Sequence, residues 1–152
     1  MQRAALALVF VTACGLDPQL PPSGKAAIES WLAQAPYTAW ACEPAAHPSR
    51  NGSPHGNNRI CSNAKVSGNT AAEYPVGAAS VKELVRSDGS VHGHSVMKKL
   101  ADGSIGANWY FFEESDGRVY ADAPDESGCV TCHQLAGQGG QPGKDFVFNQ
   151  ID

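Results

Sequence analysis

Three Asp-Gly pairs in the second half of the chain place the strongest constraint on its fold. They are Asp88-Gly89, Asp102-Gly103 and Asp116-Gly117. Asp-Gly favours the type I′ turn of a tight β-hairpin, because both central residues can take positive φ. Four runs of strand length lie between and beyond these pairs, at residues 79–86, 91–100, 107–113 and 118–120. We therefore expect a four-stranded antiparallel meander, which a short strand at residues 59–63 extends to five.

A helix is expected before this sheet. Four apolar residues recur at the offsets of one helical face: Ile28, Trp31, Leu32 and Ala35. Ser23 can cap the start of the helix, and Pro36 ends it. The spacing from Thr70 to Glu73 is that of a capping box and predicts a second, brief helical turn. The predicted fold class is α+β, with a mainly antiparallel sheet, an N-terminal helix and a separate C-terminal segment.

The beginning of the chain predicts export. Arg3 precedes an apolar run at residues 4–13 that is too short to span a bilayer as a helix. The run ends in Val-Thr-Ala-Cys-Gly, which is typical of a bacterial lipobox. We expect a lipoprotein signal peptide at 1–13, lipid on Cys14, a proline-rich tether at 14–22 and one domain at 23–152. The predicted location is the periplasm, with the membrane reached only through the lipid. An ordinary signal peptide followed by a chance cysteine is the alternative.

The most specific motif is Cys-Val-Thr-Cys-His near the end of the chain. Cys129 and Cys132 are three positions apart, and His133 follows directly. Two thiols at this spacing can add to the two vinyl groups of one porphyrin, and the next residue then offers an imidazole to the iron. A redox dithiol does not need the histidine, and a zinc site needs two more ligands at suitable spacing. The motif therefore predicts one covalent haem c, with His133 as its metal ligand.

Two further cysteines, Cys42 and Cys61, remain after the lipid and the haem are assigned. An even pair in an oxidising compartment predicts a disulfide. A loop of this length contributes roughly 3 kcal/mol in the chain-entropy model. Two free thiols are the alternative. The formal charge of -4 gives no basic surface that would suggest nucleic acid as a partner.

The position of the motif argues against an ordinary helical cytochrome c. In those proteins the attachment site lies near the start of the domain, and a later methionine binds the iron. Here 19 residues follow His133, and none of them is methionine. Met97, inside a predicted strand, is the only methionine besides the initiator. The sixth iron position is therefore predicted to be open, with ligation by Met97 as the alternative. Within the third predicted strand, one face is expected to meet the helix and the other the haem.

Several short pieces, taken in order, resemble the cytochrome P-460 / cytochrome c′-beta family. They are Tyr-Pro-Val-Gly at 74–77, Val-Lys-Glu-Leu-Val at 81–85, Asn-Trp-Tyr-Phe-Phe at 108–112, the haem motif with Gln134, and Asp-Phe-Val-Phe at 145–148. The resemblance implies a homodimer with a mainly antiparallel sheet. It also implies either hydroxylamine oxidation, as in cytochrome P-460, or binding of nitric oxide and carbon monoxide, as in the c′-beta members.

The resemblance also assigns roles to individual residues. Lys82 matches the lysine that is joined to a porphyrin carbon in cytochrome P-460, and its apolar strand neighbours are expected to favour the neutral amine. Alternatively, Lys82 points to solvent. Arg59 matches a distal-pocket arginine, whose charge would steady an anionic ligand. The family's distal carboxylate has no counterpart on the strand at 91–97, where His94 is the nearest candidate for proton transfer. A surface role for His94 remains the alternative.

These features predict an exported c-type cytochrome with one haem and an open iron site that acts on small nitrogen compounds. Its expected partners are hydroxylamine or a nitrogen oxide, a soluble electron-accepting cytochrome and a second copy of the chain. A protein that binds nitric oxide or carbon monoxide without turnover is one alternative. A six-coordinate electron carrier is the other.

Overall fold

A computed structural model describes residues 20–149 and residue 151. Its helices are α1 (Lys25–Gln34), α2 (Ala64–Ser67) and α3 (Ser127–His133), with short 3₁₀ turns at Pro36–Ala39 and Gly106–Asn108. Its strands are β1 (Ala41–Cys42), β2 (His47–Pro48), β3 (Asn57–Ser62), β4 (Ala79–Val85), β5 (Val91–Lys99), β6 (Trp109–Ser115) and β7 (Arg118–Pro124).

The strands form one antiparallel sheet in the order β1-β3-β4-β5-β6-β7, and β2 also pairs with β3. This arrangement confirms the α+β class and the meander from β4 to β7. Within the described part of the chain the sheet has seven strands instead of the four or five expected. The two additional strands, β1 and β2, are each two residues long and pair with β3. Sequences that short carry no alternation from which a strand could be predicted.

Only one Asp-Gly pair has the backbone of the predicted hairpin turn. Asp116 and Gly117 both have positive φ, 52° and 77°, and they join β6 directly to β7. At the other two pairs only the glycine is left-handed, with φ of 87° at Gly89 and 96° at Gly103. The β4–β5 and β5–β6 connections are therefore longer loops, because their Asp residues do not complete a two-residue type I′ turn.

Helix α1 buries the predicted apolar face, with Ile28, Trp31 and Leu32 turned inward. The expected cap at Ser23 was wrong, because Gly24 occupies the cap position and the Ser23 hydroxyl accepts from Lys98 Nζ at 3.1 Å. A residue of the sheet supplies the acceptor for the first backbone N–H group of the helix instead. The Lys25 backbone N–H donates to the Asp122 carboxylate at 2.9 Å.

The helical turn predicted at residues 70–73 is absent, and the turn lies earlier, at α2. Asn63 precedes α2 but does not cap it. Its side chain bonds instead to the start of β4 and the residues before it. Nδ2 donates to the Gly77 carbonyl, and Oδ1 accepts from the Ala79 N–H. The capping-box pattern was therefore too weak to predict the position of this helix.

The two faces of the sheet bury different partners. Tyr110 and Phe112 of β6 pack with α1, whereas Trp109 and Phe111 pack with Phe146 and the C-terminal segment. The predicted alternation along β6 is thus confirmed. On the helix side, Cys42 and Cys61 pair across β1 and β3 and form the predicted disulfide.

The predicted signal peptide at 1–13 and the lipid site at Cys14 lie outside the described residues. The same is true of most of the tether. Within residues 20–149 and residue 151, no helix is long and apolar enough to cross a membrane.

Candidate functional site

A cavity of about 350 Å³ lies between the sheet and the C-terminal segment, on the face opposite α1. Strands β3 to β7, the loop that carries residues 49–55, and helix α3 all contribute to its wall. Its size falls within the usual range for cofactor and ligand sites. The polar or reactive side chains that border it include Arg50, His55, Lys82, Glu113, Cys129, Cys132 and His133.

The three residues of the attachment motif lie together on this wall. Helix α3 carries Cys129, Cys132 and His133, and both thiols are free and partly exposed. Burial raises the pKa of Cys129 to about 11, and the nearby carboxylates of Glu113 and Glu126 raise it as well. Cys129 is therefore a neutral thiol near pH 7, unlike the low-pKa thiolate of a redox-active dithiol.

His133 is held as a neutral, oriented imidazole. Its Nδ1 lies 2.7 Å from the Phe146 carbonyl, which can only accept, so Nδ1 carries the proton and Nε2 keeps its lone pair. Burial lowers the pKa of His133 to about 4. The rings of Phe148 and Phe111 lie edge-on to it, with centroids 5.6 and 5.8 Å away. A metal-binding histidine commonly has this second-nitrogen bond to a carbonyl.

Lys82 borders the same cavity, as the resemblance implied. It lies on β4, one residue before Glu83, which faces the other side of the sheet. Burial lowers the pKa of Lys82 to about 8, although the Glu113 carboxylate acts in the opposite direction. At this pKa roughly a tenth of the amine is neutral at pH 7, far more than for an exposed lysine.

Glu113 and His55 are site residues that the sequence analysis missed. Glu113 Oε2 lies 3.3 Å from His55 Nδ1, within ion-pair distance, but Nδ1 is buried and makes no hydrogen bond of good geometry. Burial would raise the pKa of Glu113, but His55 and Lys82 together outweigh it and hold that pKa below its usual range. The cavity therefore contains a carboxylate. Extending the alternation of Trp109 and Phe111 by two residues could have identified it.

Arg59 and His94, the other predicted site residues, do not border this cavity. Both residues are cross-strand neighbours of Glu83, and strand alternation puts that row on the α1 face. Arg59 Nη1 lies 3.1 Å from Glu83 Oε2. The Tyr37 hydroxyl donates to Glu83 Oε1 at 3.0 Å and lies 3.2 Å from His94 Nε2. Burial lowers the pKa of His94, although Glu83 and Glu114 oppose the shift. These side chains form a polar network behind the sheet.

Arg50 supplies the guanidinium that was expected from Arg59. Its Nη2 lies 3.2 Å from Cys132 Sγ, and its Cζ lies 3.5 Å from the centroid of the Phe148 ring. The loop that carries Arg50 is rich in proline, glycine and asparagine. Loops of this kind have no period from which a side-chain direction could be predicted.

Met97 lies on β5 with its side chain buried, and it also borders the cavity. Among the residues that the structure describes, no group of three or more His, Cys, Asp or Glu side chains is arranged to hold a bare metal ion.

Comparisons with protein-family models, with curated proteins and with solved structures found no match to the chain.

Proposed function

We propose that the chain is an exported c-type cytochrome that holds one haem through Cys129, Cys132 and His133. The observation that carries the proposal is the bond from His133 Nδ1 to the Phe146 carbonyl. It leaves Nε2 available as an iron ligand on the same wall as the two free thiols. A buried neutral imidazole, two thiols on one helix and an adjoining cavity fit the requirements of covalent haem.

Small nitrogen compounds are the proposed substrates. Bound haem would supply iron that can bind such a compound and exchange electrons with it. Oxidising hydroxylamine releases protons as well as electrons, so a proton acceptor is needed near the substrate. Glu113 is proposed for this role, because its carboxylate borders the cavity and is ionised at neutral pH. The electrons would pass to a separate carrier, such as a soluble cytochrome.

The remaining polar groups of the cavity suit the same chemistry. Arg50 brings a fixed positive charge that favours anionic character in a bound nitrogen ligand. Lys82 brings a partly neutral amine, the form required for a bond to a porphyrin carbon. Arg50 takes the place in this scheme that the resemblance assigned to Arg59.

Two other functions are supported by particular residues. Phe111 and Phe148 beside His133 are compatible with a protein that binds nitric oxide or carbon monoxide without turnover. Met97 at the cavity wall is compatible with a six-coordinate electron carrier. The carboxylate of Glu113 favours turnover over both, since neither gas binding nor electron transfer requires a proton acceptor in the cavity.

An optical spectrum of the reduced protein separates these functions. A Soret band displaced far to the red, without sharp α and β bands, would indicate a haem joined to Lys82. A high-spin spectrum without that displacement would favour the gas-binding protein. Sharp low-spin bands would favour the electron carrier and contradict an open iron site.

The lipid anchor at Cys14 and the homodimer remain part of the proposal. Growth with radiolabelled palmitate tests the anchor. Label should appear in the wild-type chain and be lost in Cys14→Ala. A wild-type chain without label would leave a protein that is exported but not lipidated.

A further inference from the structure

The turn that contacts His133 has an unusual backbone. Lys144 and Val147 are joined by two backbone hydrogen bonds of 2.9 and 2.8 Å, which close a tight reversal. The central residues, Asp145 and Phe146, have φ of 40° and 68°. Such a turn normally contains Asn or Asp followed by Gly, and a bulky residue such as phenylalanine at positive φ is strained. Strain of this kind persists only where the surrounding structure imposes it.

Asp145 is fixed by a buried network. Its carboxylate accepts from Lys99 Nζ at 2.8 and 2.9 Å and from the Tyr74 N–H at 2.8 Å. Trp109 Nε1 adds a longer contact of 3.3 Å. The side chains of Lys99 and Asp145 are 0% and 1% exposed. Lys99 Nζ also donates to the Gly103 carbonyl at 2.8 Å, so the network holds the turn against both the sheet and the β5–β6 loop.

A buried ion pair is weak support for stability, because removing two charges from water offsets much of their attraction. The burial of the Lys99–Asp145 ion pair is therefore better explained by a role other than stability. The residue next to Asp145 is Phe146, and the Phe146 carbonyl is the acceptor for His133 Nδ1. The network thus fixes the peptide that decides which nitrogen of His133 carries the proton.

We propose that Lys99 and Asp145 are positioning residues that hold the strained turn so that the Phe146 carbonyl fixes the orientation and tautomer of His133. The expected consequence is a more basic iron-binding nitrogen, Nε2 of His133, and this consequence rests on the proposed function. The orientation of the ring itself does not require haem.

The test compares the wild type with the double variant Lys99→Met/Asp145→Asn. Removing both charges avoids leaving one of them buried and unpaired, and asparagine tolerates the left-handed backbone at this position. Val66→Ala is the control, because Val66 is fully buried in the apolar cluster that includes Trp109 and Phe146, and its side chain cannot form a hydrogen bond. Its effect measures a general loss of packing.

The first measurement is ¹⁵N-histidine NMR on the purified chain, as the diamagnetic ferrous carbon monoxide form if it carries haem. Wild type and Val66→Ala should show a His133 Nδ1–H that exchanges slowly with solvent. In the double variant this exchange should become at least tenfold faster. The second measurement, on haem-loaded protein, is the iron–histidine stretching band in the ferrous resonance Raman spectrum. It should move to lower frequency in the double variant alone.

A folded double variant whose Nδ1–H exchange and stretching band both match the wild type would overturn the proposal. Equal changes in the double variant and in Val66→Ala would also overturn it, because the pair would then be only structural. A wild-type chain without haem would contradict the proposed function, yet the NMR comparison would still decide the role of the pair. If the double variant does not fold, Lys99→Arg, which keeps the positive charge opposite Asp145 but changes the direction of its hydrogen bonds, gives the same two readouts.

Discussion

Replacing Glu113 with glutamine tests whether the cavity carboxylate accepts protons. The substitution keeps the size of the side chain and an acceptor oxygen, but it removes the charge 3.3 Å from His55. A positioned general base typically contributes a factor of 10²–10⁴ in rate. We expect the low end, about 100-fold or roughly 2.7 kcal/mol, because the lowered pKa of Glu113 makes it a weaker base than one with a pKa near neutral pH.

The assay is hydroxylamine oxidation with an artificial electron acceptor, and Glu114→Gln is the matched control. Glu114→Gln makes the same chemical change at the next residue of β6, whose side chain lies on the other face of the sheet. It should stay within about twofold of wild type, on the scale of an ordinary surface substitution. Nitric oxide binding should survive in both variants, because it requires no proton acceptor.

The pH dependence gives an independent check on Glu113. Its pKa lies below the usual range, so the active carboxylate form is present at neutral pH and is lost as pH falls through that lowered pKa. Wild type should therefore show an acidic loss of turnover that Glu113→Gln lacks. Equal rates for Glu113→Gln and Glu114→Gln would refute the role of Glu113 as a base.

Three further predictions concern the disulfide, Lys82 and the network behind the sheet. Cys42→Ala/Cys61→Ala should lower the free energy of unfolding by about 3 kcal/mol, from the sequence separation of 19, as measured by urea titration under oxidising conditions. An unchanged midpoint would show that the crosslink does not constrain the unfolded chain. Lys82→Ala should abolish any haem–lysine peptide found by mass spectrometry of the digested wild type, whereas Lys98→Ala should retain it. Arg59→Gln and His94→Gln should each lower stability by about 1 kcal/mol through lost hydrogen bonds, without altering the optical spectrum of the nitric oxide form. A changed spectrum would place these side chains near the iron after all.

Local patterns predicted the elements of the fold well where a single period governs the sequence. The apolar face of α1 and the alternation along β6 follow from spacings of 3.6 and two residues, and both are present in the structure. The disulfide followed from counting cysteines in a chain that is predicted to be exported. The short strands β1 and β2 could not be predicted in this way, because their pairing with β3 depends on contacts with residues distant in sequence.

The candidate site shows the same division. Lys82, which its motif predicted to face the haem, borders the cavity. Arg59 and His94 lie on the α1 face instead, because the register of β3 and β5 against β4 decides which side of the sheet each side chain occupies. A one-residue change of register moves every side chain across the sheet, and a sequence does not state register. Arg50 was missed because the position of its loop is set by the fold as a whole.

The central claim is that His133 binds the haem iron. Its most direct test is the optical spectrum of the purified wild type and of His133→Gly, the latter recorded with and without added imidazole. The account predicts that wild-type protein is coloured, with haem that stays attached to the chain on denaturation. His133→Gly should keep the covalent haem through Cys129 and Cys132 but show an altered ferrous spectrum, which imidazole restores toward that of wild type. A colourless wild-type protein, or an identical spectrum after loss of His133, would contradict the account.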